Sequence, residues 1–192
     1  MSDKPPTNKH VEALMKSATK ENKSVLLINN IKSVLKIAFG PNDGVKVWDK
    51  YLQDEIQNEL DHTKISDPKV FEETIRSIVD DQLLFYIRSV IVPFIQKGML
   101  HLIRDKSTNQ EDKHKNIIKA IKYMVGLMPK FLLTDSAFLG RKLISTFESK
   151  LKQAREDIDS DVPPTYEELL SETIKEVFMQ DVHNDVLAEM FK

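Results

Sequence analysis

Only five glycines interrupt 192 residues, and between the glycine and proline positions apolar side chains recur every three or four residues, never alternating for more than a short stretch. So few turn formers and no sustained period of two leave little material for a sheet; a period near 3.6 is what an amphipathic helix needs. The chain is therefore predicted to be all-α, a single helical bundle of about seven to eight helices with a kinked, buried central helix near Pro93. With 41% hydrophobic and 30% charged residues, it can bury roughly 70% of its extended surface, which suits one core.

Helix boundaries follow from local chemistry. A short amphipathic helix is expected over 9–20, with Val11, Leu14, Met15 and Ala18 on one face, and a second over 24–39 that stops at Gly40 and Pro41. Residues 40–44 (GPNDG) read as a turn, followed by a helix to about 61 with Val45, Trp48, Tyr51 or Leu52, Ile56 and Leu60 inward. Asp67 and Pro68 have the chemistry of an N-cap and first helical position, opening a helix to about 91. Pro93, which lacks a backbone donor and crowds the preceding turn, should kink or restart it. Residues 105–112 are a polar loop, and helices follow over 113–128, 135–156 and 165–192, the last interrupted near Gln180 where its apolar stripe rotates. The expected domain organisation is a disordered 1–8, a bundle over 9–158, an acidic and proline-containing linker over 159–165 and a C-terminal helical segment over 166–192.

Composition removes several function classes. With no cysteine, disulfides, thiolate metal sites and a cysteine nucleophile are all excluded. The first twenty residues hold no apolar core of a signal peptide, and Ser2 is not a myristoylation acceptor. The most apolar stretch, 83–103, contains Arg88, Lys97 and His101 and is broken by Pro93 and Gly98; it reads as a buried central helix pair, with an interfacial or re-entrant segment as the alternative. The expected location is cytoplasmic, peripheral to the inner membrane surface, and in the virion if the protein is viral. Five scattered histidines offer no paired ligands, residues 40–46 lack phosphate-loop spacing, and no nucleophile elbow is present. No catalytic residue, metal site or cofactor is predicted, and Glu72, Arg76 and Asp80 read as an exposed ion-pair ladder.

Charge is segregated. Residues 113–155 hold ten Lys and Arg against two Asp and Glu, and 156–192 hold two against eleven, so a +8 block precedes a −9 block in a chain of net charge −2. Lys115, Lys119 and Lys122 share one helical face opposite Ile117, Ile121, Met124 and Val125, and Arg141, Lys152 and Arg155 gather on a flank of the next helix. Such a basic surface is open to four readings: plain solvation, contact with anionic lipid headgroups, contact with nucleic acid, or pairing with the acidic tail.

Between the two blocks lies Pro163-Pro164-Thr165-Tyr166, followed by Glu167, Glu168 and Leu169. One reading is structural: the prolines end one helix, Thr165 caps the next, and Glu168 completes a capping box. The other is recognition, because consecutive prolines pre-set the polyproline II conformation that aromatic grooves accept. Pro163, Pro164, Tyr166 and Leu169 resemble the PPxY ligands of class I WW domains, including the extended form with leucine three places after the tyrosine. The resemblance covers about seven residues. In viral matrix and Gag-like proteins such a segment is similar to a late-budding motif, and in cellular proteins to an adaptor motif; both imply a WW-containing HECT-type ubiquitin ligase as partner. The sequence thus points to a non-enzymatic interaction protein, matrix-like in its most specific version, with membrane or assembly contacts and self-association. The alternative is an RNA-binding or nucleocapsid-type helical protein using the basic 113–155 block.

Overall fold

A computed structural model describes residues 8–62, 67–103, 110–127, 136–156 and 162–192. Six continuous helices account for nearly all of them, with no strand among the described residues: α1 (Asn8–Phe39), α2 (Pro41–Val47, Trp48–Leu52 and Gln53–His62), α3 (Pro68–Tyr86, Ile87–Ile91 and Val92–Ile103), α4 (Gln110–Leu127), α5 (Ser136–Glu156) and α6 (Tyr166–Val177, Phe178–Val182 and His183–Met190). The middle segment of α2, α3 and α6 is a π-helical turn. The all-α expectation holds; the count of seven to eight helices is corrected to six among the described residues.

Three anticipated breaks are absent and a fourth is narrowed to one residue, each for a physical reason. Residues 20–24 contain neither glycine nor proline, and α1 runs through them. The GPNDG segment is not a separate turn: Gly40, at φ 88°, is the whole break, Pro41 opens α2, and Gly44 N–H already bonds Gly40 C=O at 2.8 Å. A side chain at Gly44 would place its Cβ 2.5 Å from the Leu35 carbonyl oxygen, so glycine here lets α1 and α2 approach. The kinked central helix is likewise corrected, because α3 continues through Pro93. The π turn just upstream, where Val92 N–H reaches Ile87 C=O five residues back, widens the backbone in front of the ring, and Pro93 itself is exposed. At 178–182 a π turn also replaces the anticipated interruption near Gln180, re-phasing the helix so that Val177, Phe178 and Val182 all remain buried.

One hydrophobic cluster unites all six helices. Phe39 meets Tyr86 edge-on at 5.2 Å between ring centroids, and Tyr51 packs on Tyr86 at 5.3 Å. The C-terminal segment is part of this core, since α6 packs against α1, α3, α4 and α5 and buries Leu169, Leu170, Ile174, Phe178, Val186 and Met190. Polar ties fix its ends and middle: Asn30 Nδ2 on α1 donates to Met190 C=O at 2.8 Å, Gln96 on α3 donates to Ser171 C=O at 2.8 Å, and the buried His183 ring nitrogen lies 2.9 Å from Asp80 Oδ1. A helix held at so many points belongs to the fold rather than to a separate tail. Of the expected disordered segment over 1–8, residues 1–7 lie outside the described residues and Asn8 opens α1; residues 159–161 of the expected acidic linker also lie outside them.

Candidate interaction surfaces

Thr165 sits at φ −71°, ψ 159°, the polyproline II region, and the prolines before it are exposed. The next residue begins α6, and the junction is fixed by reciprocal bonds. Thr165 Oγ1 accepts from Glu168 N–H at 3.2 Å, while Glu168 Oε2 accepts from Thr165 N–H at 2.8 Å and from its hydroxyl at 3.0 Å. The first of those donors, then the second, holds the Glu168 carboxyl below the usual glutamate range. The capping box anticipated from the sequence is thus formed.

Tyr166 is half-buried at this corner. Its ring lies 6.2 Å from that of Phe147 on α5, and its hydroxyl accepts a 3.2 Å hydrogen bond from Arg155 Nη2, also on α5. A cleft of about 330 Å³ opens beside it, lined by Lys113, Leu151, Arg155, Pro163, Pro164 and Tyr166 among others. Leu169 shares the tyrosine's helical face, but that face points inward and Leu169 is 5% exposed. The structure therefore brings Pro163, Pro164 and Tyr166 to the surface together and keeps Leu169 in the core.

The six basic residues divide between two helices. On α4, Lys115, Lys119 and Lys122 are exposed. On α5, Arg141 is exposed, Lys152 lies 3.8 Å from Glu156, and Arg155 is engaged with Tyr166. Two cations the sequence reading did not single out, Lys142 and Lys150, carry the link to the acidic block: Lys142 Nζ is 3.2 Å from Asp181 and Lys150 Nζ 2.8 Å from Glu176, both on α6. The signal for them was the opposed charge blocks themselves, which mark where two helices attract once packed side by side.

Elsewhere, burial raises the Tyr86 phenol above its ordinary value, with the Asp43 charge and then Tyr51 adding to it. Tyr86 is a core aromatic. No group of three or more His, Asp or Glu among the described residues is arranged to hold a metal ion. No helix among them is long and apolar enough to cross a membrane. Compared with known proteins, the chain matches no family model, no curated protein and no solved structure.

Proposed function

We propose that this chain is a non-enzymatic interaction protein whose Pro163-Pro164-Thr165-Tyr166 corner is a docking segment for a WW domain, and through it for a HECT-type ubiquitin ligase. The observation that carries the reading is a pair of exposed prolines, followed by Thr165 in polyproline II geometry and by a half-buried tyrosine whose hydroxyl is tied by a single side-chain hydrogen bond. Prolines ordered in advance reduce the entropy lost on docking. Tyr166 needs only to give up the Arg155 bond and part of its packing on Phe147, about 1–2 kcal/mol in total. Leu169 stays in the core throughout, so the contact is the four-residue form of the motif without its leucine extension.

A full chain is then expected to bind a WW domain about tenfold more weakly than a free peptide of the same sequence, the ratio reporting how seldom the tyrosine is released. The isolated contact is micromolar, about −8 kcal/mol, and gains strength when several copies assemble. In its most specific form the protein is matrix-like, combining this segment with a basic surface for membrane or assembly contacts. Calorimetric titration of a class I WW domain into the folded chain tests it: wild type binds and Tyr166→Ala does not. Equal binding by the two, or none by the wild type at high micromolar concentration, overturns the reading.

A further inference from the structure

Seen from outside, the second half of α3 departs from its expected burial. Phe94 is 71% exposed, the most exposed aromatic side chain among the described residues, and Phe85 and Val90 are also open to solvent. Arg88, Pro93, Lys97 and His101 share this exposed run. The neighbouring α4 continues it. The Met124 methyl group sits where a Cβ on Gly98 would come within 3.2 Å, so the two helices touch closely at that level. Phe94 and His101 lie one turn to either side of Gly98, and Tyr123, 57% exposed, is next to Met124, with Lys119 one turn before Tyr123.

Past the first turn of α4, which holds Glu111 and the exposed Asp112, the charge on this face has one sign. The chain contains 30 Asp and Glu, yet none falls in 82–103 or in 113–127, while Arg88, Lys97, Lys119 and Lys122 are exposed there. On the opposite flank of α3 the Gln96 bond to Ser171 places α6, whose outer positions include the exposed Glu172. Aromatic and aliphatic side chains interleaved with cations, bordered on one side only by carboxylates, form an amphipathic surface of fixed orientation. Charge alone would serve an RNA backbone equally well. Exposed Val90 and Phe94 have no use for phosphates, whereas a headgroup boundary accepts them and the cations together.

We infer that the α3–α4 face lies on an anionic lipid bilayer, with Phe94 entering the boundary between headgroups and acyl chains and the lysines and Arg88 meeting lipid phosphates and carboxylates. The contact is parallel to the membrane, with no helix crossing it. Repulsion between the leaflet and the acidic α6 keeps that flank, and the Pro163–Tyr166 corner at its start, turned toward solvent. This deepens the membrane part of the proposed function and stands independently of WW binding.

Flotation of the full chain with phosphatidylcholine vesicles, with and without phosphatidylserine, tests it. Wild type should float only when phosphatidylserine is present. Phe94→Ser should weaken partitioning by about tenfold or more, and Lys119→Glu and Lys122→Glu by about fivefold or more each. Lys152→Glu on α5 and Tyr166→Ala should float as wild type does, so a failed WW titration leaves this result standing and the reverse also holds. Circular dichroism establishes that each variant is folded, and Phe94→Tyr, which keeps an amphipathic ring, serves as a second probe that should retain binding. Absence of flotation, or flotation unchanged by Phe94→Ser and the lysine reversals, overturns the inference. So does either of two alternative occupants: single-stranded RNA bound with a steep salt dependence that the same variants abolish in place of flotation, or self-association in solution that Phe94→Ser dissolves.

Discussion

The corner where α5 meets α6 and the face where α3 meets α4 draw on the same stretch of basic sequence and treat it in opposite ways. At the corner, Lys142, Lys150 and Arg155 turn toward α6 and find Asp181, Glu176 and the Tyr166 hydroxyl. On the α3–α4 face, Lys119 and Lys122 turn outward on a helix that carries no carboxylate after Asp112. A +8 block is therefore two objects, one used for internal fit and one displayed. Helix phase divides them: on α4 the apolar positions Ile117, Ile121 and Val125 take the core side and leave the lysines opposite, whereas α5 has a neighbour of the other charge along its flank. Complementary pairs across packed helices mainly fix register, because partly exposed pairs contribute little net stability.

The sharpest way to break this contrast is to truncate one apolar residue in each region. Leu169→Ala should cost about 2–5 kcal/mol in urea unfolding, since Leu169 fills the core beneath the corner. Phe94→Ala should stay within about 0.5 kcal/mol, because its ring is mostly in water. A Leu169 variant as stable as wild type would mean that α6 is not docked at its start and that the leucine is available as a ligand after all. A large loss at Phe94 would remove the reason for treating the α3–α4 face as an outward surface.

Arg155→Ala is the next step down. It removes the one side-chain hydrogen bond to the Tyr166 hydroxyl while leaving the prolines and the capping box in place. Stability should fall by about 0.5–1 kcal/mol, and affinity of the folded chain for a WW domain should rise, by roughly twofold to fivefold, because the tyrosine is released more often. Calorimetry with the wild-type and variant chains measures both. Weaker WW binding by the variant would make Arg155 part of the docking surface and not its restraint.

How far the sequence could be read differs between the two regions for the same kind of reason. Boundaries that depend on a few adjacent residues were legible: Phe39 before Gly40, Asp67 and Pro68, and the Thr165–Glu168 box are short-range chemistry and lie where expected. Features that depend on a neighbour were not. Continuity through Pro93 requires a π turn whose residues, Ile87–Ile91, carry no local mark, and the 83–103 stretch is apolar enough to look wholly buried until the packing shows which of its sides has no partner. At the corner, spacing placed Tyr166 and Leu169 on one face, but only the position of α5 decides that this face points inward. Lys142 and Lys150 escaped notice because no helical stripe distinguishes them from the cations beside them.

Smaller still is the coupling across α5 and α6. A double-mutant cycle on Lys150 and Glu176, whose side chains are 24% and 40% exposed and 2.8 Å apart, should return about 0.2–1 kcal/mol and shrink as salt is added. The value matters less than its contrast with charge reversals on α4, where Lys119→Glu should leave stability nearly unchanged while altering what the surface attracts. If the Lys150 pair contributes nothing and Lys119→Glu unfolds the chain, the division between internal and displayed cations is the wrong way round.

The smallest expected effect concerns pH at the start of α6. Glu168 is held below the usual carboxylate range in the folded chain, chiefly by the Thr165 backbone N–H and then by its hydroxyl. A carboxyl that binds its proton less tightly when folded favours the folded state at pH values above its unfolded titration, and that contribution disappears as the pH falls through the folded value. Glu168→Gln keeps an acceptor for Thr165 N–H and cannot titrate. The stability difference between wild type and Glu168→Gln should therefore be constant near neutral pH and diminish on acidification, a narrowing that paired urea midpoints would reveal. Lys122→Gln on the α3–α4 face should show no such narrowing over the same range, because no carboxylate in α3 after Asp81 or in α4 after Asp112 lies on its surface to gain or lose a proton. A pH-dependent gap at Lys122 would instead place a titrating group, an acidic residue or the exposed His101, against that lysine.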